Sequence, residues 1–556
     1  MKRILKRMAT VLAIVLTAIS TFSLGGCAIL ENMLGNTADG TSSTSSSSSV
    51  GIPPEEEPIT PPEEEPENPV EPPQEEVKDE SYKNDPDYAR YSYMPTITST
   101  MPRIRINADG NSSWLTQYNL NDKRAGKIDY VDCKISVDRC DEEYKLTNVS
   151  AEVKVRGNAT LNYEKKPIRI KFNKKTSMLG LNGGAKCKSW VLLADWKDLS
   201  MLNNDLAFYF GKTILGSDGY YSTDFRRVNV YVTDGDSEVY WGVYLLVEQQ
   251  QVNEYRVNIT EPEDDYIGND IGYLLEYDGY YTYEDPALGG DYTFEMNYYN
   301  NAPLKTLSGG TTRPRVKGYT VKNDIYADSQ VEFIRSYMDN LYTIAYKAVY
   351  EHEYYTFNED LTGIVKSNYK SAEETVSAVI DVQSLADSYI LQEIACDLDV
   401  DWSSVYMDVD LSASGNKKLT FEAPWDWDSC FGVRPDVNSS GMYAANRSNP
   451  WFILFINEPW FQEIIRDKWA DLYEFRVLET ALNMITESKE KGKANYEANY
   501  RRWPNCLNPL PGERTDALNA CKSQAEAAEI LYTWLYTRLN FLNDQWGNGA
   551  DVLTRE

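Results

Sequence analysis

The hydrophobic pattern of this 556-residue chain changes its period partway along the sequence. Up to about residue 250, apolar and polar residues alternate over short segments, which predicts half-buried strands. Farther along, apolar residues recur every three or four positions, which predicts helices that bury one face. A strand-rich part followed by a helix-rich part is typical of the α+β class. We therefore expect a strand-rich N-lobe over about residues 100–260 and a helix-rich C-lobe over about 261–556.

The same pattern predicts the individual elements. Strands are expected at residues 153–156, 168–172, 227–232 and 240–248. An amphipathic helix is expected at residues 198–215, between the second and third of these strands. In the C-lobe, helices are expected at residues 331–350, 385–396, 460–488 and 522–546, with one short strand at 420–423.

The first 27 residues have the layout of an export signal. A basic head precedes an uncharged apolar run over residues 8–24, and the run ends in Leu24-Gly25-Gly26-Cys27. This ending resembles the lipobox of bacterial lipoproteins, whose cysteine carries acyl chains. A membrane-spanning anchor is the competing interpretation, but about 17 apolar residues lie at the lower limit for one. We expect cleavage after residue 26 and a lipid on Cys27, which would anchor the protein to the extracytoplasmic face of a bacterial membrane.

Residues 27–87 are predicted to form a disordered tether. A Ser/Thr-rich stretch at 41–49 is followed by two Pro-Pro-Glu-Glu-Glu-Pro repeats, at 53–58 and 61–66. Such a composition cannot bury enough apolar surface to offset the entropy of ordering. In an extended polyproline conformation the tether would reach on the order of 100 Å, towards or through a cell wall.

The charge of the chain restricts its partners. The formal net charge is −30, and residues 55–80 contribute about 11 of these negative charges, with 12 acidic residues against Lys78. Nucleic acid and anionic lipid both bind cationic surfaces, so neither is an expected partner of this acidic domain. Contact with the membrane is expected through the lipid anchor only.

A single histidine, His352, restricts the chemistry. Zinc sites with two or more histidines are excluded, and any Ser-His-Asp or Cys-His triad would depend on His352, which we expect to be a surface residue. The sequence contains neither a Gly-x-x-x-x-Gly-Lys-Ser/Thr loop nor a dinucleotide-binding glycine fingerprint. Catalysis would therefore rest on carboxylates, lysine, arginine and a hard metal ion.

Seven cysteines remain besides Cys27. Cys133 with Cys140, and Cys506 with Cys521, are near enough in sequence to form disulfides outside the cell. Small buried thiols are an equally good interpretation of all four.

Two clusters of carboxylates are candidates for the chemistry. Asp397-Leu398-Asp399-Val400-Asp401 follows the helix predicted at 385–396, and Trp425-Asp426-Trp427-Asp428 follows the strand predicted at 420–423. A turn within residues 408–418 would let the two clusters converge. Convergent Asp oxygens suit Mg²⁺, and a neighbouring Asp can orient or deprotonate a hydroxyl group. Capped loops or solvated turns are the alternative interpretation of any one pair.

Several sequence blocks, taken in order, resemble the CotH family, the spore-coat protein H kinases, which are atypical relatives of protein kinases. The resemblance extends over about residues 104–432 and implies a two-lobed, kinase-like version of the α+β fold. The blocks are Val155-Arg156-Gly157-Asn158 with Lys165-Lys166-Pro167-Ile168-Arg169-Ile170-Lys171, Trp190-Val191-Leu192-Leu193-Ala194 with Asp198 and Asn204, Tyr240-Trp241-Gly242-Val243-Tyr244 through Glu248, Glu393 with Asp399, Tyr406, and Trp425-Asp426-Trp427-Asp428 with Phe431-Gly432.

The resemblance implies roles for the acidic residues. Asp399 would be the catalytic residue that positions the acceptor hydroxyl, and Asp426 or Asp428 would bind the metal ion. The metal would be Mg²⁺ or Mn²⁺. The family often has Asn at the position of Asp397, and the more acidic cluster of this chain makes Ca²⁺ an alternative.

The resemblance also implies a nucleotide site. Lys171 would contact the phosphates of ATP with help from Arg156, and Glu248 would belong to the same site. Without the resemblance, Lys171 is an ordinary solvent-facing strand lysine and Glu248 is an exposed carboxylate at a strand end.

Three functions are compatible with these features. The first is a protein kinase that transfers phosphate from ATP to Ser or Thr of exported or surface proteins. The second is a catalytically inactive scaffold or adhesin, whose many Tyr and Trp side chains would bind partners. A glycosidase with paired carboxylates comes last, because only the Asp pairs and aromatic residues support it.

Overall fold

The computed structural model describes residues 80–116, 128–157, 159–288, 290–547, 549 and 553. Residues 78–556 form one compact unit. The export signal, Cys27, nearly all of the tether and Asn158 lie outside the described residues, so the expectations for them stay predictions.

Seven strands of the N-terminal region close into a barrel in the order β1-β2-β3-β4-β5-β7-β6. Neighbouring strands are antiparallel, and a parallel pairing of β1 with β6 closes the barrel. All four predicted N-terminal strands are confirmed, within β3, β4, β6 and β7. The strands are β1 Arg103–Asn107, β2 Val131–Asp138, β3 Leu146–Val155, β4 Ile168–Thr176, β5 Cys187–Leu193, β6 Phe225–Asp234 and β7 Ser237–Glu248.

Apolar and polar residues alternate in these strands, and the apolar side chains fill the interior of the barrel. Along β1 and the second half of β3 every second side chain is buried, as expected for strands with one face on a core. Ile104, Val153 and Trp190 are fully buried members of this interior cluster. The barrel is therefore packed with side chains.

Helices dominate the C-terminal region. The longer helices of the chain are α1 Asn203–Ile214, α2 Asp328–Tyr346, α3 Ala372–Ser377, α4 Val382–Ala395, α5 Pro450–Phe455, α6 Pro459–Glu474, α7 Val477–Arg502, α8 Asp516–Ala520 and α9 Gln524–Trp546, and four-residue helical turns lie at Tyr88–Tyr91, Leu181–Gly184 and Tyr298–Asn301. The single helix predicted over 460–488 is wrong, because Arg476 adopts a left-handed φ of 60° that separates α6 from α7. The other predicted helices are confirmed with small shifts of their ends. Across the described residues, we find no helix with the length and apolar character needed to cross a bilayer.

A second sheet lies within the C-terminal region, in the order β15-β8-β12-β9. The periodicity of the sequence did not predict this sheet, because its strands are short. Every residue of β8, Gly272–Tyr277, is buried, so apolar and polar residues do not alternate along it. The strand predicted at 420–423 is wrong, since Thr420 makes only an isolated bridge with Asp408. The strands outside the barrel are β8 Gly272–Tyr277, β9 Tyr292–Glu295, β10 Leu304–Lys305, β11 Thr311–Thr312, β12 Gly318–Val321, β13 Tyr355–Phe357, β14 Ile364–Lys366 and β15 Val405–Asp410.

The helical region shares one core with the outside of the barrel. Leu245 and Val247, on the outer face of β7, belong to the same buried cluster as Phe208 of α1 and the helices of the C-terminal region. Helix α1, which the sequence placed in the N-lobe, thus packs with the C-terminal region. The α+β class is confirmed, and the strands expected in the N-terminal part form a closed barrel within residues 103–248. The two-lobed, kinase-like arrangement stays a prediction.

The structure also tests the predictions for His352 and for the cysteines. His352 is exposed and ends the helical turn that follows α2, as expected of a surface residue. The seven described cysteines are all free thiols. Cys133, Cys506 and Cys521 are buried, which supports the interpretation as small core residues over the two predicted disulfides.

Candidate active site

The first acidic segment begins where helix α4 ends. Cys396 adopts a left-handed φ of 49°, which stops the helix and turns the chain. Asp397 then caps a short 3₁₀ turn, Leu398–Asp401, by accepting a hydrogen bond from the Asp399 backbone N–H at 3.1 Å. This turn leaves the Asp399 side chain half-buried, facing away from the core.

Neighbouring segments hold this turn in place. Asn449 Nδ2 donates to the Val400 carbonyl at 2.7 Å, and the Ser448 N–H donates to Asp401 Oδ2 at 3.3 Å. Arg315 lies 3.3 Å from Asp401 Oδ1. Asp401 therefore has structural partners, whereas Asp399 faces the second acidic segment.

The second acidic segment has an irregular backbone with buried aromatic residues. Trp427 is fully buried and Trp425 nearly so, which explains why this segment collects aromatic area that an exposed loop would not. Between them, Asp426 adopts a left-handed φ of 71° and its side chain is exposed. The two Trp rings are thus buried, and Asp426 and Asp428, which alternate with them, lie towards the surface.

Direct contacts join the two segments. The Phe431 N–H donates to the Ala395 carbonyl at 2.8 Å, and Cys430 Sγ donates to Asp397 Oδ1 at 3.4 Å. From the barrel side, Asn203 Nδ2 donates to the Cys430 carbonyl at 3.0 Å. The two carboxylate clusters, whose residues Asp399 and Asp426 are 27 positions apart in sequence, therefore lie together in the structure.

Crowding of these carboxylates disfavours their charged forms. Burial raises the pKa of Asp397 well above its usual range, and the charges of Asp399 and Asp426 add to the effect. Burial and the charge of Asp428 raise the pKa of Asp399 to about 6. Desolvation within the cleft raises the pKa of Asp426 to about 7, with further contributions from Asp428 and Asp399, although water reaches this side chain and screens part of the repulsion.

Two cations lie beside the second acidic segment. The guanidinium of Arg156, at the end of strand β3, lies 5.4 Å from the centre of the Trp425 ring, and its charge opposes the rise in the pKa of Asp426. Lys197, which the sequence analysis did not single out, lies 3.1 Å from Ser429 Oγ, next to Asp428. Lys197 lies inside a block that carries the family resemblance, but its sequence position alone does not distinguish it from any other loop lysine.

Two other predicted site residues have partners elsewhere. Lys171, on β4, is 47% exposed and lies 3.8 Å from Glu152 on the neighbouring strand β3. Glu248 is fully buried, which excludes the alternative of an exposed carboxylate, and pairs with the equally buried Arg256 at 3.3 Å. Their assignment to a nucleotide site stays a prediction.

Residues of the resembling blocks also fix the framework of the site. Asp198 accepts hydrogen bonds from the backbone N–H groups of Ser200, Leu202 and Asn203, each at 2.8 Å, and so closes the turn before α1. Glu393, on α4, pairs with Arg538 of α9 at 2.9 Å, and both side chains are fully buried. These residues position the acidic segments and do not face solvent.

The donor set of the cluster fits a hard cation. Carboxylate and hydroxyl oxygens dominate, with Ser404 Oγ 3.5 Å from Asp426 Oδ2, and these are the ligands that Mg²⁺ and Ca²⁺ prefer. A cation would also relieve the repulsion that adds to the effect of burial on the pKa values of Asp399 and Asp426. Across the described ranges, however, no three His, Cys, Asp or Glu side chains already surround one point as in a formed metal site. Binding would therefore require the carboxylates to close around the ion.

Comparison with known proteins agrees with this arrangement. None of the curated proteins matches the chain. The sequence model of the family described as CotH kinase protein matches residues 153–542. That match includes the barrel strands from β3 onward, both acidic segments and the helices up to α9, and so extends beyond the resembling blocks to the C-terminal helices. Because it spans well over half of the sequence, the chain belongs to the CotH kinase protein family.

Proposed function

We propose that this chain transfers the terminal phosphate of ATP to Ser or Thr hydroxyls of exported or surface proteins, with Mg²⁺ or Mn²⁺. The observation that carries the proposal is the meeting of two acidic segments at which Asp399 and Asp426 have raised pKa values. Perturbed carboxylates at the surface of a protein are candidates for function. Membership in a family of kinase proteins supports the same reaction.

The residues of the site suit the demands of phosphoryl transfer, which needs positioning and charge stabilisation more than covalent chemistry. Asp399 is the acceptor of the hydroxyl proton. As that proton leaves, the acceptor oxygen forms a bond to phosphorus and the bond from phosphorus to the leaving ADP oxygen breaks. Asp426 and Asp428 are the residues that would hold a metal ion, which when bound supplies positive charge to the phosphate oxygens. Arg156, held over Trp425, adds a second positive group at the same cleft.

A scaffold or adhesin without turnover is the second candidate, and one observation favours it. The two residues that the resemblance assigns to nucleotide, Lys171 and Glu248, are engaged with Glu152 and Arg256. A scaffold does not need either residue to bind a nucleotide. The scaffold candidate therefore predicts that Asp399→Asn leaves partner binding intact and has no effect on phosphate transfer.

The same proposal includes a location for the protein, which follows from the first residues of the chain. Cleavage before Cys27 and lipidation of that cysteine would leave most of residues 27–87 as a tether, which ends where the folded unit begins at residue 78. The substrates would then be exported or surface proteins, because these are within reach of the tether.

The test is transfer of labelled phosphate from ATP to exported proteins of the host, with Mg²⁺, Mn²⁺ or Ca²⁺ in separate reactions. We expect Asp399→Asn to reduce transfer by about 10²- to 10⁴-fold, the range for loss of a positioned base. Asp436→Asn, a carboxylate in an exposed pair with Arg434, is the matched control and should retain full activity. Equal transfer by wild type and Asp399→Asn, or no transfer with any of the metals, would contradict the kinase and leave the scaffold.

A further inference from the structure

Lys197 lies on a backbone segment that is fixed on both sides. It follows strand β5, and its carbonyl accepts a hydrogen bond from Arg514 Nε at 2.7 Å. The preceding carbonyl, of Trp196, accepts from Nη2 of the same arginine at 2.7 Å, and Arg514 is almost completely buried. On the other side, Asp198 closes the turn that leads into α1. The position of Lys197 is therefore set by its supporting residues.

The side chain of Lys197 points at the meeting point of the acidic segments. It is only 13% exposed, and its Nζ lies 3.1 Å from Ser429 Oγ and 3.9 Å from Glu513 Oε2. Burial alone lowers the pKa of Lys197, but the charges of Asp428, Glu513, Asp426 and Asp399 outweigh it and raise the pKa. The ammonium group thus lies within electrostatic range of both acidic segments.

The other cations of the site have different surroundings. Arg315 is 53% exposed and pairs with Asp401, which belongs to the first segment only. Arg156 lies over the Trp425 ring and acts on Asp426 of the second segment. Lys197 is the cation whose charge acts on Asp399 of the first segment as well as on Asp426 and Asp428 of the second.

We propose that Lys197 neutralises the acidic cluster when no metal is bound and binds the transferred phosphate when metal and nucleotide are present. The second half of this proposal rests on the proposed function. A lysine suits such an exchange, because its ammonium group is a compact charge on a flexible four-carbon stem. A metal ion held by Asp426 and Asp428 would repel the ammonium group of Lys197, and phosphate oxygens would offer that group a new partner.

This exchange predicts that one substitution at Lys197 has different effects on the affinities for Mn²⁺ and for Mn²⁺·ATP. Lys197→Met removes a positive charge that competes with the metal, so the affinity for Mn²⁺ alone should increase by about 3- to 10-fold. The same substitution removes a phosphate contact, so the affinity for Mn²⁺·ATP should not increase and should fall relative to that for Mn²⁺. Phosphate transfer should decrease by about 10²-fold, as for other single groups that stabilise developing charge.

The experiment measures binding of Mn²⁺ and of Mn²⁺·ATP to the full chain by electron paramagnetic resonance. Lys197→Arg keeps the charge and should keep the wild-type order of affinities. Lys197→Gln is a second neutral variant, in case Lys197→Met does not fold. Lys145→Met, at an exposed lysine paired with Glu142, is the matched control and should change neither affinity.

The outcomes separate this proposal from the proposed function. Tighter Mn²⁺ binding without tighter Mn²⁺·ATP binding in both neutral variants supports the exchange, and tighter binding of both ligands overturns the phosphate contact. Wild-type affinities for both ligands in those variants overturn the role of Lys197 and leave the proposed function intact. A wild-type chain that binds Mn²⁺ but not Mn²⁺·ATP overturns the phosphate contact together with the proposed function.

Discussion

Glu393 and Asp399 lie six positions apart in the sequence and have opposite surroundings. Glu393 is fully buried, pairs with Arg538, and accepts hydrogen bonds from the backbone N–H groups of Tyr443 and Ala444 at 2.8 and 2.9 Å. Asp399 is half-buried, and burial together with the charge of Asp428 raises its pKa to about 6. The fold thus satisfies one acid fully and leaves the other crowded.

A second pair of acids repeats the contrast. Glu248 is buried against Arg256, and the Asp224 N–H donates to it at 3.2 Å. Asp426, at the surface, has only the distant Ser404 hydroxyl as a hydrogen-bond donor within the described part of the chain. Glu393 and Glu248 are buried and paired with arginines, as stability requires, whereas Asp399 is partly exposed and Asp426 exposed, where a ligand can reach them. The difference indicates which carboxylates serve the framework and which are available for binding.

The largest expected effect comes from breaking a framework pair. Arg538→Met leaves Glu393 buried without its cation, so the free energy of unfolding should fall by about 3–5 kcal/mol. Arg434→Met, which removes an exposed pair with Asp436, should cost less than about 1 kcal/mol. Denaturant unfolding of both variants measures the difference. Equal losses in the two would show that the buried pair contributes no more than a surface pair.

A smaller effect is expected at a third kind of acid, the half-buried carboxyl of Glu422, which has no arginine partner among the described residues. Glu422 accepts from the Tyr221 N–H at 2.6 Å, and Asp408, whose pKa is strongly raised by burial and by Glu422, lies close to it. Burial raises the pKa of Glu422 to about 7. The folded protein therefore binds more protons than the unfolded chain between about pH 4.5 and 7, and stability should fall as the pH rises through this range.

The size of this pH effect is on the order of 2–3 kcal/mol. Glu422→Gln keeps the acceptor for the Tyr221 N–H and removes the titration, so its unfolding free energy should fall less between pH 4.5 and 7 than that of the wild type. Unfolding of both proteins at several pH values within this range measures the slope. Identical slopes would mean that Glu422 titrates normally in the folded protein.

Local patterns predicted much of this molecule. Alternation over 168–172 and 227–232 identified barrel strands, and the runs of Asp at 397–401 and 426–428 identified the two segments that meet in the structure. These predictions succeeded because each depended on a few neighbouring residues.

Features that depend on long-range pairing were missed. Closure of the barrel depends on β1 pairing with β6, more than 100 residues away, and β8 carries no alternation because both of its faces are buried. For the same reason Lys197 was overlooked, since its approach to Ser429 joins positions 232 residues apart. The pairing of Glu248 with Arg256 was not predicted either, because Arg256 lies in a loop without a pattern of its own.

The most direct test of the account is the response of stability to Mg²⁺. In EDTA, the Asp426→Asn/Asp428→Asn double variant should be at least as stable as the wild type, because it lacks the repulsion between crowded carboxylates. Mg²⁺ at about 100 times its dissociation constant should stabilise the wild type by about 2.7 kcal/mol and leave the variant unchanged. A wild type that gains no stability from Mg²⁺, or a variant that gains as much, would contradict the assignment of the crowded carboxylates to a cation site.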